Sequence, residues 1–230
     1  MVLTVKDVAK LLGVSEKTVY RWIGQGSLPA YQIHDQYRFN RAELLEWATS
    51  KRIPIDPKIF DEPESSGQPM PTLSEALVNG GVTYRVVGSD KWAVLKNVVQ
   101  MLQLPEEVDR EFLYRVLVAR EELSSTGVGE GIAIPHVRNP VVLHISKPMI
   151  SLFYLENPID FGSIDNKPVH ALFMLISPTV RAHLHLISRL AYALHDPDFR
   201  NVIQRQGLRD EINAAARSVE EKLTLTSTGH

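Results

Sequence analysis

Five of the chain's fourteen prolines fall between Ile53 and Thr72, in the run IPIDPKIFDEPESSGQPMPT. Proline fixes φ and lacks an N–H, so a run this dense in it continues neither a helix nor a central strand. Ser65, Ser66 and Gly67 stand in its middle among acidic residues, a composition that cannot bury a core. A linker is therefore predicted over residues 53–72, dividing the chain into a unit at 1–52, a unit at 73–224 and a frayed, disordered tail at 225–230. The second unit is long enough for a full core of its own.

The first unit reads as mainly helical. Thr4 is a suitable N-cap for a helix that turns Val5, Val8, Ala9, Leu11 and Leu12 inward and stops at Gly13. Ser15 caps the next, whose apolar stripe is Val19, Trp22 and Ile23, so that Ser15, Lys17, Thr18 and Arg21 face outward. Two short extended runs, Ala30–Ile33 and Tyr37–Asn40, predict a hairpin or wing, and Asn40 then caps a third helix carrying Leu44, Leu45 and Trp47. Tyr20 and Trp22 are expected to pack rather than to stack on bases. Residues 1–53 hold 8 Lys/Arg against 5 Asp/Glu while the chain's net charge is −2, so the basic surplus sits at this end. Such a surplus suits nucleic acid but does not by itself require it.

The second unit alternates. Leu95–Leu102, Val108–Arg120, Ala182–Leu194, Asp198–Gln204 and 208–222 read as helices, and Val141–Ile145, Ile150–Tyr154 and Val169–Ile176 as strands. That pattern predicts an α/β domain, with both faces of Val169–Ile176 covered. Its most informative segment is STGVGEGIAIPH, where Ser125, Thr126, Gly127, Gly129 and Gly131 run into Pro135 and His136. Glycine lets backbone N–H groups approach an anion, and consecutive N–H groups form anion-binding nests. An imidazole at the end of such a nest can accept a phosphoryl group covalently, provided that the ring is reachable. Without a cysteine the chain has no disulfide, thiolate nucleophile or cysteine-held metal, and the absence of a long apolar run predicts a cytosolic protein.

Two resemblances follow from these motifs. Residues 3–50, through SEKTVYRWI, GSLPAY and YRFNRAEL, resemble the excisionase/MerR-type winged helix-turn-helix domain. The resemblance implies double-stranded DNA binding with the second helix in the major groove. Lys17, Thr18 and Arg21 are then the candidate contacts, Ser15 stands at the helix start, and Arg38 and Arg41 serve the backbone near the wing. Asp35 at the wing tip opposes it. The small surplus of charge makes one copy a weak, salt-sensitive binder and predicts a homodimer on adjacent half-sites.

Residues 73–223 resemble the fructose/mannitol-type IIA domain of the sugar phosphotransferase system, which includes the nitrogen-regulatory IIA proteins. AREELSSTGVGEGIAIPHVRNP, IDFGSIDNKPVHALFMLISP and HLHLISRLAYAL carry the match. It implies a mixed sheet flanked by helices and a phosphoryl group taken on His136 from an HPr-type phosphocarrier. Arg120 matches the family's active-site arginine and His183 its second histidine. The loop hydroxyls and glycine N–H groups would receive the phosphoryl oxygens. No cofactor and no metal is called for, since His136 and His183 lack a third ligand; His144, His170, His185 and His195 belong to no constellation. No IIB or membrane portion accompanies the match, and a DNA-binding head stands instead, which points to a transcriptional regulator. The alternatives are a phosphotransfer component serving a IIB-type acceptor and a DNA-binding protein with an inert IIA-like domain.

Overall fold

The computed structural model describes residues 2–33, 36–51, 53, 70–137, 145 and 147–225. In the head, β1 (Val2–Leu3), α1 (Val5–Leu11), α2 (Glu16–Gly24), β2 (Tyr31–Ile33), β3 (Gln36–Asn40) and α3 (Arg41–Ser50) follow in order. The strands form an antiparallel sheet, β1-β3-β2, with Leu3 opposite Phe39 and Tyr31 opposite Arg38. The hairpin thus forms where expected. β1 is too short at two residues to leave a periodic signal. Val8, Val19, Phe39, Leu44 and Leu45 are fully buried, and the Trp22 and Trp47 rings meet at 5.2 Å. Tyr20 departs from the expectation of packing: it is 51% exposed and only its edge meets Tyr37.

Both ends of α1 are chemically specified. Thr4 Oγ1 accepts the Asp7 N–H at 3.3 Å while the Asp7 carboxylate accepts the Thr4 N–H at 2.9 Å and the Thr4 hydroxyl at 2.7 Å. The Thr4 donors hold the Asp7 carboxyl below its ordinary value. Thr4→Ala is expected to cost the head about 1 kcal/mol at pH 7. Because the carboxyl is depressed in the folded state, its share is present above about pH 4 and lost as pH falls through the folded value. Urea midpoints of the two proteins should therefore differ most at pH 7 and draw closer at low pH, where only the Thr4 Oγ1 cap on the Asp7 N–H still separates them.

The second unit runs α4 (Leu73–Gly80), β4 (Val82–Val86), α5 (Lys91–Met101), α6 (Arg110–Leu123), β5 (Gly127–Gly129), β6 (Ile132–Ala133), β7 (Met149–Ile159), β8 (Val169–Ile176), α7 (Val180–Ala193), α8 (Pro197–Gln204) and α9 (Arg209–Leu225). Among the described residues the sheet order is β4-β7-β8-β6-β5. β4 with β7 and β6 with β8 are parallel, whereas β7 with β8 and β5 with β6 are antiparallel, so the sheet is mixed. α5 and α6 cover one face through Val94, Leu95 and Leu113 against Leu172 and Met174. α4 and α7 to α9 cover the other through Leu77, Leu186, Phe199 and Ile212 against Phe173 and Leu175. Alternate residues of β8 serve alternate faces, as its unbroken apolar run requires.

Besides the short strands β1, β5 and β6, two longer elements were not expected. α4 and β4 follow the linker directly, and Gly80 ends α4 so close to β7 that a Cβ there would strike the Ile150 carbonyl. Asp90 caps α5 by accepting the Trp92 and Ala93 N–H groups, which starts that helix four residues before Leu95. The strand expected at Val141–Ile145 falls, but for Ile145, outside the described residues. The head's buried residues also run into the α4–α9 layer as one cluster, with α3 lying on α7 and β5. The two units are seated against each other rather than merely tethered.

Candidate active site and nucleic-acid surface

β6 and the residues after it place His136. Ile132 and Ala133 pair in parallel with Ala171 and Leu172, and the register continues to a bridge between His136 and Leu175. Pro135 has no N–H to offer, but its carbonyl accepts the Leu175 N–H at 3.1 Å. His136 Nδ1 lies 2.8 Å from the Ile134 carbonyl oxygen. A carbonyl only accepts, so this contact assigns the proton to Nδ1 and the lone pair to Nε2. The first turn of α7, capped by Thr179 Oγ1 on the Ala182 N–H, brings the His183 ring to a centroid distance of 5.3 Å from the His136 ring.

Arg120 occupies the last turn of α6 and is only 6% exposed. Its Nη1 donates to the Ser124 carbonyl at 2.9 Å and lies 3.2 Å from Ser124 Oγ. Arg120, Ser124, Ser125, Thr126 and His136 share one wall of a cavity of about 430 Å³. The opposite wall belongs to the head, through Pro29, Tyr31, Glu43 and Trp47. Tyr31 donates its phenolic proton to the Glu43 carboxylate, whose oxygens lie at 2.8 and 2.9 Å. His136 is accordingly 3% exposed, which departs from the expectation of a solvent-reachable ring. The head borders the cavity that the ring lines.

The loop hydroxyls and glycines have jobs other than an open anion cradle. Ser125 Oγ donates to the Phe161 carbonyl at 2.7 Å and accepts the Gly127 N–H at 3.0 Å. Thr126 gives both its N–H and its hydroxyl to Glu121, at 3.0 and 2.6 Å. Gly127, Gly129 and Gly131 are not among the residues that bound the cavity. Gly129 and Gly131 have φ of 88° and 75° and turn the β5–β6 hairpin, where left-handed backbone favours glycine. A side chain on Gly131 would also run into His170. Glu121, buried and 3.8 Å from Lys91 Nζ, fixes the loop and was not anticipated; its position beside Arg120 was the available signal.

The other histidines stand apart. His170 is half-buried, and desolvation pushes its imidazole below the usual range. His185 is buried in α7, His195 Nδ1 contacts the Ala191 carbonyl at 2.8 Å, and His144 lies outside the described residues. Among the described residues no group of three His, Asp or Glu is placed to hold a metal ion. None of their helices is long and apolar enough to cross a membrane.

In the head, Lys17 and Arg21 are exposed on α2, opposite buried Val19. Ser15 Oγ accepts the Thr18 N–H at 3.2 Å and lies 3.0 Å from Thr18 Oγ1, so these two hydroxyls chiefly build the helix cap. Arg38 is turned along its own strand, donating to the Tyr37 carbonyl and to Gln36 Oε1. The Arg41 side chain, His34 and Asp35 lie outside the description.

Comparison with known proteins places both units. Residues 77–218 match the family model described as phosphoenolpyruvate-dependent sugar phosphotransferase system, EIIA 2, and residues 2–52 match a helix-turn-helix domain model. A nitrogen regulatory protein of Pseudomonas aeruginosa is 36% identical over 133 residues, covering 56% of this chain and 84% of that protein. A nitrogen regulatory protein of Bradyrhizobium diazoefficiens is 36% identical over 115 residues, covering 49% of this chain and 72% of that one. The crystal structure of nitrogen regulatory protein IIA-Ntr from Neisseria meningitidis superposes with a TM-score of 0.51 at 27% identity, over 59% of this chain and 91% of that one.

Proposed function

Since this chain belongs to the phosphoenolpyruvate-dependent sugar phosphotransferase system EIIA 2 family, we propose that it accepts a phosphoryl group on His136 and, through its helix-turn-helix head, conveys that state to duplex DNA as a transcriptional regulator. The single observation that carries this reading is the Ile134 carbonyl at His136 Nδ1, which leaves the Nε2 lone pair as the nucleophile beside Arg120.

The donor is a protein of the HPr type. The Nε2 pair attacks phosphorus, the Nε2–P bond forms as the donor's bond to phosphorus breaks, and the electron pair of that bond returns to the donor. The proton stays on Nδ1, donated to the Ile134 carbonyl, throughout. Transfer of this kind is governed by positioning and charge. Arg120 supplies a fixed guanidinium for the equatorial oxygens, and His183 supplies a second imidazole beside the acceptor ring. Ser125 and Thr126 hold the loop rather than the phosphoryl group. On the DNA side, exposed Lys17 and Arg21 support contact by α2, and the small charge surplus favours two copies on adjacent half-sites.

The test is incubation with phosphoenolpyruvate, enzyme I and an HPr-type carrier, followed by mass spectrometry that preserves phosphohistidine. Phosphate on His136 is expected; phosphate elsewhere, or none, overturns the assignment. Repeating an operator band shift with phosphorylated protein reads the coupling, and identical mobility and affinity would remove it.

A further inference from the structure

The cavity at His136 is large enough for a phosphoryl group but closed to a phosphoryl donor. At about 430 Å³ it exceeds by more than tenfold the roughly 30 Å³ that one water occupies in the liquid. A carrier protein, by contrast, needs roughly 800 Å² of surface from each partner, and its phosphorus must come to about 3–3.5 Å from the attacking nitrogen. With His136 3% exposed and Tyr31, Glu43 and Trp47 across from it, that surface is taken by the head.

We infer that α3 and the start of β2 form a lid over His136, that the lid must lift before a carrier can phosphorylate the ring, and that the phosphoryl group then opposes its return. This rests on the reading of His136 as the acceptor. Three observations carry it. The seam between head and IIA unit leaves a cavity of about 430 Å³ between the two. It is lined by polar as well as apolar groups, with Thr49 buried where α3 meets β5. The charges facing the cavity are Arg120 from the IIA unit and Glu43 from the lid. In the unmodified protein these have opposite signs. A phosphoryl group adds about 1.5 to 2 negative charges beside Arg120, and Glu43 then confronts a net negative site. The lid's own carboxylate converts the modification into a force against closure.

The test uses the full chain. Thr49→Arg forces a long cation into the seam while leaving the Trp22–Trp47 pair of the head untouched. Its initial rate of phosphate uptake from the HPr-type carrier is expected to exceed wild type by about tenfold or more, the gain available when the open form is a minor state of roughly 10% or less. Glu43→Gln is the milder second variant. Amide hydrogen exchange over residues 41–50 is expected to accelerate on phosphorylation of wild type and to change little on phosphorylation of Glu43→Gln. Equal uptake by wild type and Thr49→Arg, with exchange in α3 unmoved by phosphate, would overturn the lid while leaving His136 as the acceptor. No uptake by any of the three proteins would overturn the acceptor and the lid together.

Discussion

Alanine at position 136 is expected to give a folded protein that takes up no phosphate from the carrier mixture. The substitution removes the lone pair itself, and the nearest second imidazole, His183, sits at a ring distance of 5.3 Å, held on α7 rather than on the strand-like segment beside β8. Loss of the Nδ1 contact to Ile134 costs about 1 kcal/mol of stability, too little to unfold the domain. Arg120→Ala gives a graded result. Removing one preorganised positive group from a phosphoryl site is expected to slow uptake by about 10²–10³-fold, and Arg120→Lys to restore part of that, because lysine keeps the charge without the two-pronged geometry. Initial rates of label incorporation, with urea midpoints measured alongside, separate these effects from unfolding. Wild-type labelling of His136→Ala would place the acceptor elsewhere.

Phe173→Ala should be the most damaging single truncation away from the site. Phe173 is fully buried on β8, lies opposite Leu152 of β7, and stacks on Phe199 of α8 at 6.4 Å. The substitution opens a cavity between the sheet and the helical layer, at a cost of about 3–5 kcal/mol. Against a typical domain stability of about 5–15 kcal/mol this is a large fraction. With a urea slope of about 2 kcal/mol per molar, the midpoint followed by far-UV circular dichroism should fall by about 2 M. Leu225→Ala, at 73% exposure on α9, is the control and should shift stability by less than about 0.5 kcal/mol. A Phe173→Ala midpoint within that margin would show that the layers collapse to refill the space.

Much of the fold was legible because its signals are local. Thr4, Ser15 and the apolar spacing of the head fix α1 and α2 by capping and periodicity, and the apolar run Val169–Ile176 marks a strand covered on both faces. β1, β5 and β6 were missed because strands of two or three residues carry no alternation to read. His136 shares a cavity with Arg120 and lies at a ring distance of 5.3 Å from His183, although the three sit on separate elements. The glycines misled for a physical reason: glycine marks any place where backbone must come close or turn left-handed, and here a hairpin and the packing against Ser163 and His170 use that freedom. Nothing in the run around Trp47 and Thr49 distinguishes a helix that buries one face in its own module from one that also closes a neighbour's site. That fact lives in the packing alone.

α2 turns Lys17 and Arg21 to solvent even while the head is seated on the IIA unit. What seating changes is reach. The proposed pair of molecules, with both heads clamped, would bridge only one separation between half-sites, like the jaws of a fixed calliper. Once unclamped, each head would be limited only by the 20 residues from Ile53 to Thr72, whose proline-rich composition allows a reach of up to about 60 Å at about 3.1 Å per residue, against about 34 Å for one turn of the double helix. The switch would then select operators by their spacing and rotational phase instead of by their base sequence.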